Sequence, residues 1–169
     1  MKRYLFLCIL LCTMGCVSET KKVDKTSMST EEHVKKFGTI LYKNKNTNRL
    51  VCEVHYAGNN VKTVKLISIQ DVSDNLTDEQ KELTRQLILG NLSSKLSIKG
   101  VSVNVDVSDV VEATIMFNLT EMDYNALKKL SNFSNSDSGY TILLGLFEKE
   151  MTIDQLNEKL YYSDFFRID

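Results

Sequence analysis

The 169-residue chain has no proline, no tryptophan, two histidines and four cysteines. Without proline no loop is fixed by a cis-proline turn, and without tryptophan there is no indole anchor of the kind enriched at interfaces. His33 and His55 with Cys52 supply too few ligands for a zinc site. Cys52 and His55 stand three apart in a run that alternates like a strand, so they project to opposite faces and cannot act on one atom. No G-x-S-x-G, P-loop or H-E-x-x-H sequence occurs. Asp71 to Glu82 spaces its oxygen residues like an EF-hand loop, but Leu76 holds the position that needs glycine for the sharp turn. No cofactor or metal is therefore expected. An enzyme is less expected than a binding protein, although 22 acidic residues leave room for a paired-carboxylate hydrolase.

What is present begins at the N-terminus. In MKRYLFLCILLCTMGC, Lys2 and Arg3 precede an apolar run from Tyr4 to Met14, and Gly15 precedes Cys16. A basic flank, a short apolar core and a small residue before a cut make a secretory signal; the run is too short for a membrane span of about 20 residues. The Gly15–Cys16 junction resembles the lipobox of bacterial lipoproteins. That resemblance implies cleavage between Gly15 and Cys16 and a lipid on the Cys16 thiol, which becomes the N-terminus. Cys8 and Cys12 follow leucines too bulky for that cut, so Cys16 is the expected lipid attachment site.

Removal of residues 1–15 takes Lys2 and Arg3 from 21 basic residues, leaving 19 against 22 acidic ones, a formal −3. That balance argues against a nucleic-acid partner and leaves membrane attachment to the acyl chains, each buried methylene contributing about 0.8 kcal/mol. The same removal leaves Cys52 without a disulfide partner. Residues 16–36, polar and without apolar periodicity, read as a lipidated tether; twenty flexible residues span roughly 25 Å. Residues 37–169 are expected to form one α+β domain.

Within it, Gly38–Lys43, Arg49–Ala57 and Val61–Gln70 read as strands, the second alternating Leu50, Cys52, Val54 and Tyr56 against Arg49, Glu53 and His55. The third has apolar residues on both faces, which leaves its register open. Thr77 and Gln80 make a capping box for a long helix with inward Leu83, Leu87, Ile88, Leu92 and Leu96, stopped at Gly100. The valines of 101–107 and the run 111–119 make a hairpin. Thr120 and Asp123 pair as a cap for a short helix through Leu130, and Ser131–Gly139 reads as a loop. Tyr140–Phe147 reads as a last buried strand, and Thr152 with Gln155 caps the last helix. The order β-β-β-α-β-β-α-β-α implies a mostly antiparallel sheet with about three helices on one face.

The segment KGVSVNVDVSDVVEATIMFNLTEMDYNALKKL resembles the central part of YehR-like bacterial lipoproteins in its Gly-Val hairpin start, acidic turn, second strand and helix ending Leu-Lys-Lys-Leu. The upstream Gly-Asn turn, strand and helix, and the closing MTIDQLNEKLYYSDFF, resemble the same family. The resemblance spans roughly Gly38 to Phe166 and implies a small α+β lipoprotein domain without assigning an activity.

These readings make the chain an expected cell-envelope lipoprotein, held by its lipid on the extracytoplasmic side of a bacterial membrane and binding an envelope protein or small ligand. With helices on the apolar side, the other sheet face is left to water. Arg49, Glu53, His55, Asn104, Asp106 and Glu112, together with Ser102 and Thr114, are the expected partner face.

Overall fold

Each hairpin follows from its turn. In the computed structural model, which describes residues 37–72, 76–133 and 144–168, Gly58 turns with φ 64°, a left-handed conformation that side chains resist. It joins β2 (Leu50–Ala57) to β3 (Asn60–Asp71), and β2 also pairs with β1 (Phe37–Asn44). β4 (Val101–Val107) and β5 (Val110–Asn118) form the second hairpin, and β5 lies against β3. One six-stranded antiparallel sheet results, in the order β4-β5-β3-β2-β1-β6.

The open register of β3 has a structural cause. Between His55 and Tyr56 the pairing slips, so that Thr63 faces His55 while Val61 faces Tyr56. The extra residue on β3, Lys62, is a bulge that lets Val61 and Val64 both point inward although they are three apart.

Three described helices line one side of this sheet: α1 (Asp78–Lys95), α2 (Tyr124–Phe133) and α3 (Ile153–Tyr162). Their buried residues Leu96, Leu127, Leu156 and Leu160, the first just past the end of α1, join one core with Ile40, Tyr42, Cys52, Val54, Leu66, Ile115 and Phe117. Thr77 and Thr152 close capping boxes with Gln80 and Gln155, each threonine accepting the glutamine N–H at 3.3 Å.

Four local expectations are corrected. α1 does not spread its leucine stripe over the sheet: it packs on β4, and Leu83 and Leu87 face water, Leu87 at 66% exposure. The cap of α2 is Asp123 alone, its carboxylate accepting the Asn125 and Ala126 N–H groups at 3.0 Å. Thr120 instead bonds Asn118 Oδ1 in the preceding turn. Residues 131–133 continue α2 rather than opening the loop. The last described strand, β6 (Phe165–Ile168), is not among the expected elements: it follows α3 and pairs with β1 at Leu41–Asn44, while residues 140–143 of the strand expected at Tyr140–Phe147 lie outside the described residues.

Leu144–Phe147 is a helical end and turn, although Leu144 and Phe147 are buried as a strand there would have made them. Phe147 packs on Phe117 with ring centroids 4.7 Å apart, and Lys159 of α3 holds the turn by donating to the Leu146 carbonyl at 3.0 Å. Gly100 stands at φ 82°, and a Cβ there would lie 2.6 Å from Met122 Cα, so only glycine lets the β4 start meet the approach to α2. The signal segment 1–15, the tether 16–36 and most of the loop 131–139 lie outside the described residues.

Candidate functional site

The face of the sheet away from the helices can be laid out from the strand register. Across β4, β5 and β3 runs a first row of Asp106, Glu112 and Ile69. The second row, from β4 to β6, is Asn104, Thr114, Ile67, Val51, Lys43 and Phe166. The third is Ser102, Met116, Lys65, Glu53, Leu41 and Ile168, and the fourth is Asn118, Thr63, His55 and Thr39. The face is polar and acidic on β4 and β5 apart from Met116, mixes Lys65, Glu53 and His55 with Ile67, Ile69 and Val51 on β3 and β2, and is apolar at Leu41, Phe166 and Ile168 where β1 meets β6.

Its centre is a hydrogen-bonded chain across three strands. Glu53 accepts from Lys65 Nζ at 2.9 Å and pairs with His55 Nε2, while His55 Nδ1 lies 3.0 Å from Thr39 Oγ1. The Glu53 side chain is 21% exposed, partly sheltered by its neighbours. The Lys65 hydrogen bond, against a smaller cost of burial and with added help from His55, holds the Glu53 carboxyl below its ordinary value. Both ring nitrogens of His55 are engaged, so the ring is fixed in orientation.

The order hydroxyl, imidazole, carboxylate in Thr39–His55–Glu53 is that of a nucleophilic relay. Here Lys65 shares the carboxylate, and none of the three clefts described below is lined by these residues.

The expected partner residues divide. Glu53, His55, Asn104, Asp106 and Glu112 stand on this face in the rows above. Arg49 precedes β2 and forms an ion pair with Asp71 at the end of the sheet, its carbonyl accepting the Ile69 N–H at 2.8 Å. There it lines a cleft of about 460 Å³ with Thr47, Leu50, Ser68, Gln70 and Ala113 among its walls. Leu50, Ser68 and Ala113 make one cross-strand row on the helix side, and the small side chains of Ser68 and Ala113 leave its floor low. Cys52, by contrast, is in the core, its thiol pushed up to about 12 by burial and, less, by Glu53.

A cleft of about 520 Å³ between α2 and the 144–149 turn is lined by Tyr124, Leu127, Leu144 and Phe147, with Glu148 as its acid. Tyr124 there donates to the Leu119 carbonyl at 2.7 Å. Another, of about 400 Å³, lies between α3 and β6 under Tyr161, Tyr162 and Phe166, with Glu158 as its acid. Each cleft thus holds a single carboxylate. No group of metal-binding side chains occurs among the described residues, and Ser73 and Asn75 of the Asp71–Glu82 spacing lie outside them.

Sequence patterning missed Lys65 and Ile67 on the open face, because the bulge at Lys62 hid the alternation of β3, and it singled out no face for Thr39 in β1. It also missed Phe166 and Ile168, whose strand is too short to show a period.

The architecture is an α+β domain with one antiparallel sheet and, among the described residues, helices on one side of it only. The chain matches no protein-family profile, and no curated protein matches it. Two solved structures share its fold. The NMR structure of E. coli YehR superposes with a TM-score of 0.56 at 18% identity, over 80% of this chain and 93% of that one. The NMR structure of a protein from Streptococcus pneumoniae TIGR4 gives 0.53 at 13% identity, over 91% and 100%. The chain has a YehR-like fold.

Proposed function

We propose that this chain is a lipid-anchored protein of the bacterial cell envelope, carried on Cys16, whose domain binds a partner on the open face of its sheet. The observation that carries the partner reading is the six-stranded face that shows Asn104, Asp106 and Glu112 to water and holds the half-buried Glu53 and His55, with the described helices all on the other side. A sheet face rich in fixed polar groups, on which no described helix packs, suits recognition of another surface better than turnover of a small molecule. The N-terminal signal with its Gly15–Cys16 junction supports the anchor. No described helix is long and apolar enough to cross a membrane. The alternative, a hydrolase of envelope polymers with paired carboxylates, gains no support from the described clefts, each of which holds one acid.

Two measurements test the proposal. Mass spectrometry of the protein extracted from membranes should show an N-terminal Cys16 bearing diacylglyceryl; an unmodified N-terminus elsewhere overturns the anchor. A photo-crosslinking side chain at Asn104 should capture a partner that the same group at the exposed Asn125 of α2 does not. Equal capture at both positions, or none, overturns the assignment of the face.

A further inference from the structure

The large apolar side chains left in water are unevenly placed. Phe37 is 76% exposed, Tyr162 79% and Tyr161 63%, and Leu41, Phe166 and Ile168 are the next members of the same region. Leu41, Phe166, Ile168, Tyr161 and Tyr162 gather where β6 and the last turn of α3 meet the Leu41–Asn44 half of β1, while Phe37 lies four residues beyond Leu41 on the same edge strand. Leu41 faces Ile168 across the β1–β6 ladder, and Phe166 and Tyr162 share the wall of the α3–β6 cleft. Apolar side chains scattered singly need no explanation, whereas a continuous patch marks a contact.

We propose that this β1–β6 edge rests on the surface of a lipid bilayer, which deepens the anchored reading above and rests on it. Three observations select lipid as the occupant. The patch is rich in Tyr and Phe, rings that sit at the boundary between headgroups and acyl chains with one end apolar and one wet. Lysines flank it where snorkelling needs them: Lys43 is the cross-strand neighbour of Phe166, and Lys45 Nζ stands 4.4 Å from the centre of the Tyr161 ring. Finally, the segment 16–36 that would carry the lipid on Cys16 enters the domain through β1, the strand that β6 pairs with and that supplies Leu41 to the patch. The net −3 of the processed chain does not oppose this, because burial of rings supplies the attraction and the local lysines meet the headgroups. Among the described residues this edge carries Lys43, Lys45 and Arg167 with Glu158 and Asp164, and Asp164 accepts from Asn46 Nδ2 at 3.1 Å. The polar half of the open face, on β4 and β5, is left free for a partner.

The missing tryptophan makes the test clean, since a single introduced indole is the only one. All described elements lie in the compact unit Val34–Asp169, so a chain of residues 16–169 with Cys16→Ser keeps the fold and carries no lipid. In it, Tyr162→Trp and, separately, Leu87→Trp on α1 report two exposed positions far apart in the chain. Mixed phosphatidylglycerol–phosphatidylcholine vesicles should shift the emission of the Tyr162→Trp protein to shorter wavelength, and lipids brominated on the acyl chain should quench it. The Leu87→Trp protein should show neither effect. Adding Tyr161→Ser and Phe166→Ser to the Tyr162→Trp protein should lower the vesicle partition coefficient about a hundredfold, roughly tenfold for each ring lost. Circular-dichroism melting should stay unchanged, because both residues are exposed. No response of the indole at position 162, or an equal response at both positions, overturns the proposal. So does a blue shift of the Tyr162→Trp protein that grows with its concentration without vesicles, since that would mean a second copy covers the edge. None of these outcomes bears on lipidation of Cys16, which the mass of the extracted protein decides alone.

Discussion

Cys52 and His55 are three residues apart, and the pleat of β2 gives them opposite surroundings: the thiol has no contact with water and the imidazole stands on the open face between Glu53 and Thr39. A thiol raised to about 12 by burial is protonated and shielded at neutral pH. In the Cys16→Ser chain of residues 16–169, where Cys52 is the one remaining cysteine, a disulfide reagent at pH 8 should label nothing in the native protein and one thiol in guanidinium. Native labelling at the unfolded rate would place Cys52 outside the core. Glu53 behaves oppositely. Its folded carboxyl lies below the ordinary 4.5, chiefly through Lys65, so it stabilises the fold fully above that value and loses the contribution as pH falls through the folded one. The melting temperature should therefore drop between pH 6 and pH 3 by more in the parent than in Glu53→Gln. An identical acid slope in the two proteins would show the Lys65–Glu53–His55 cluster to be energetically silent.

At the scale of the element, α1 shows that helical periodicity tells which residues share a face but not which face wins. Leu83 and Leu87 make one stripe and Ile88, Leu92 and Leu96 another, about a quarter-turn or more apart on a 3.6-residue helix. Packing against β4 shelters the second. Leu87→Ser should change stability by no more than about 0.5 kcal/mol, whereas Leu96→Ala should cost about 2–4 kcal/mol because Leu96 is buried. Urea titrations of the two variants check the difference; comparable losses would return Leu87 to the core. The β4–β5 hairpin offers the matching contrast. Val105 points inward and Glu112 outward. Val105→Asp buries an unpaired carboxylate and should cost about 4 kcal/mol or more, enough to abolish the melting transition of a marginal domain, while Glu112→Lys should melt like the parent. A Val105→Asp protein that also melts like the parent would mean the two faces are reversed.

For the whole molecule, what was legible in the sequence was local. Turn residues, alternation and caps located β1 to β5, α1, α2 and α3, and the alternation of β2, β4 and β5 sorted Glu53, His55, Asn104, Asp106 and Glu112 onto one side. What was illegible depends on partners far along the chain. The four residues of β6 form a strand because β1, about 125 positions earlier, offers Leu41–Asn44 as an edge; nothing in FFRI alone distinguishes it from a helix end. Leu144–Phe147 is apolar because it is buried, and a short buried run does not declare its own dihedrals. The same topology fixes a ranking of local stability. β3 is hydrogen-bonded along most of its length on both sides, to β2 and β5, whereas β4 is an edge and β6 covers only the Leu41–Asn44 half of β1. Opening β3 breaks two ladders and opening β6 breaks one short one. Amide hydrogen exchange should therefore be slowest for Val64 and Leu66 of β3, intermediate in β4, and fastest in β6 and at Gly38–Ile40, where β1 lacks its outer partner among the described residues. Vesicles should then slow exchange in the β1–β6 group and leave β4 unchanged. Protection that appeared first at β4 would mean that the polar edge, not the aromatic one, is what meets the lipid.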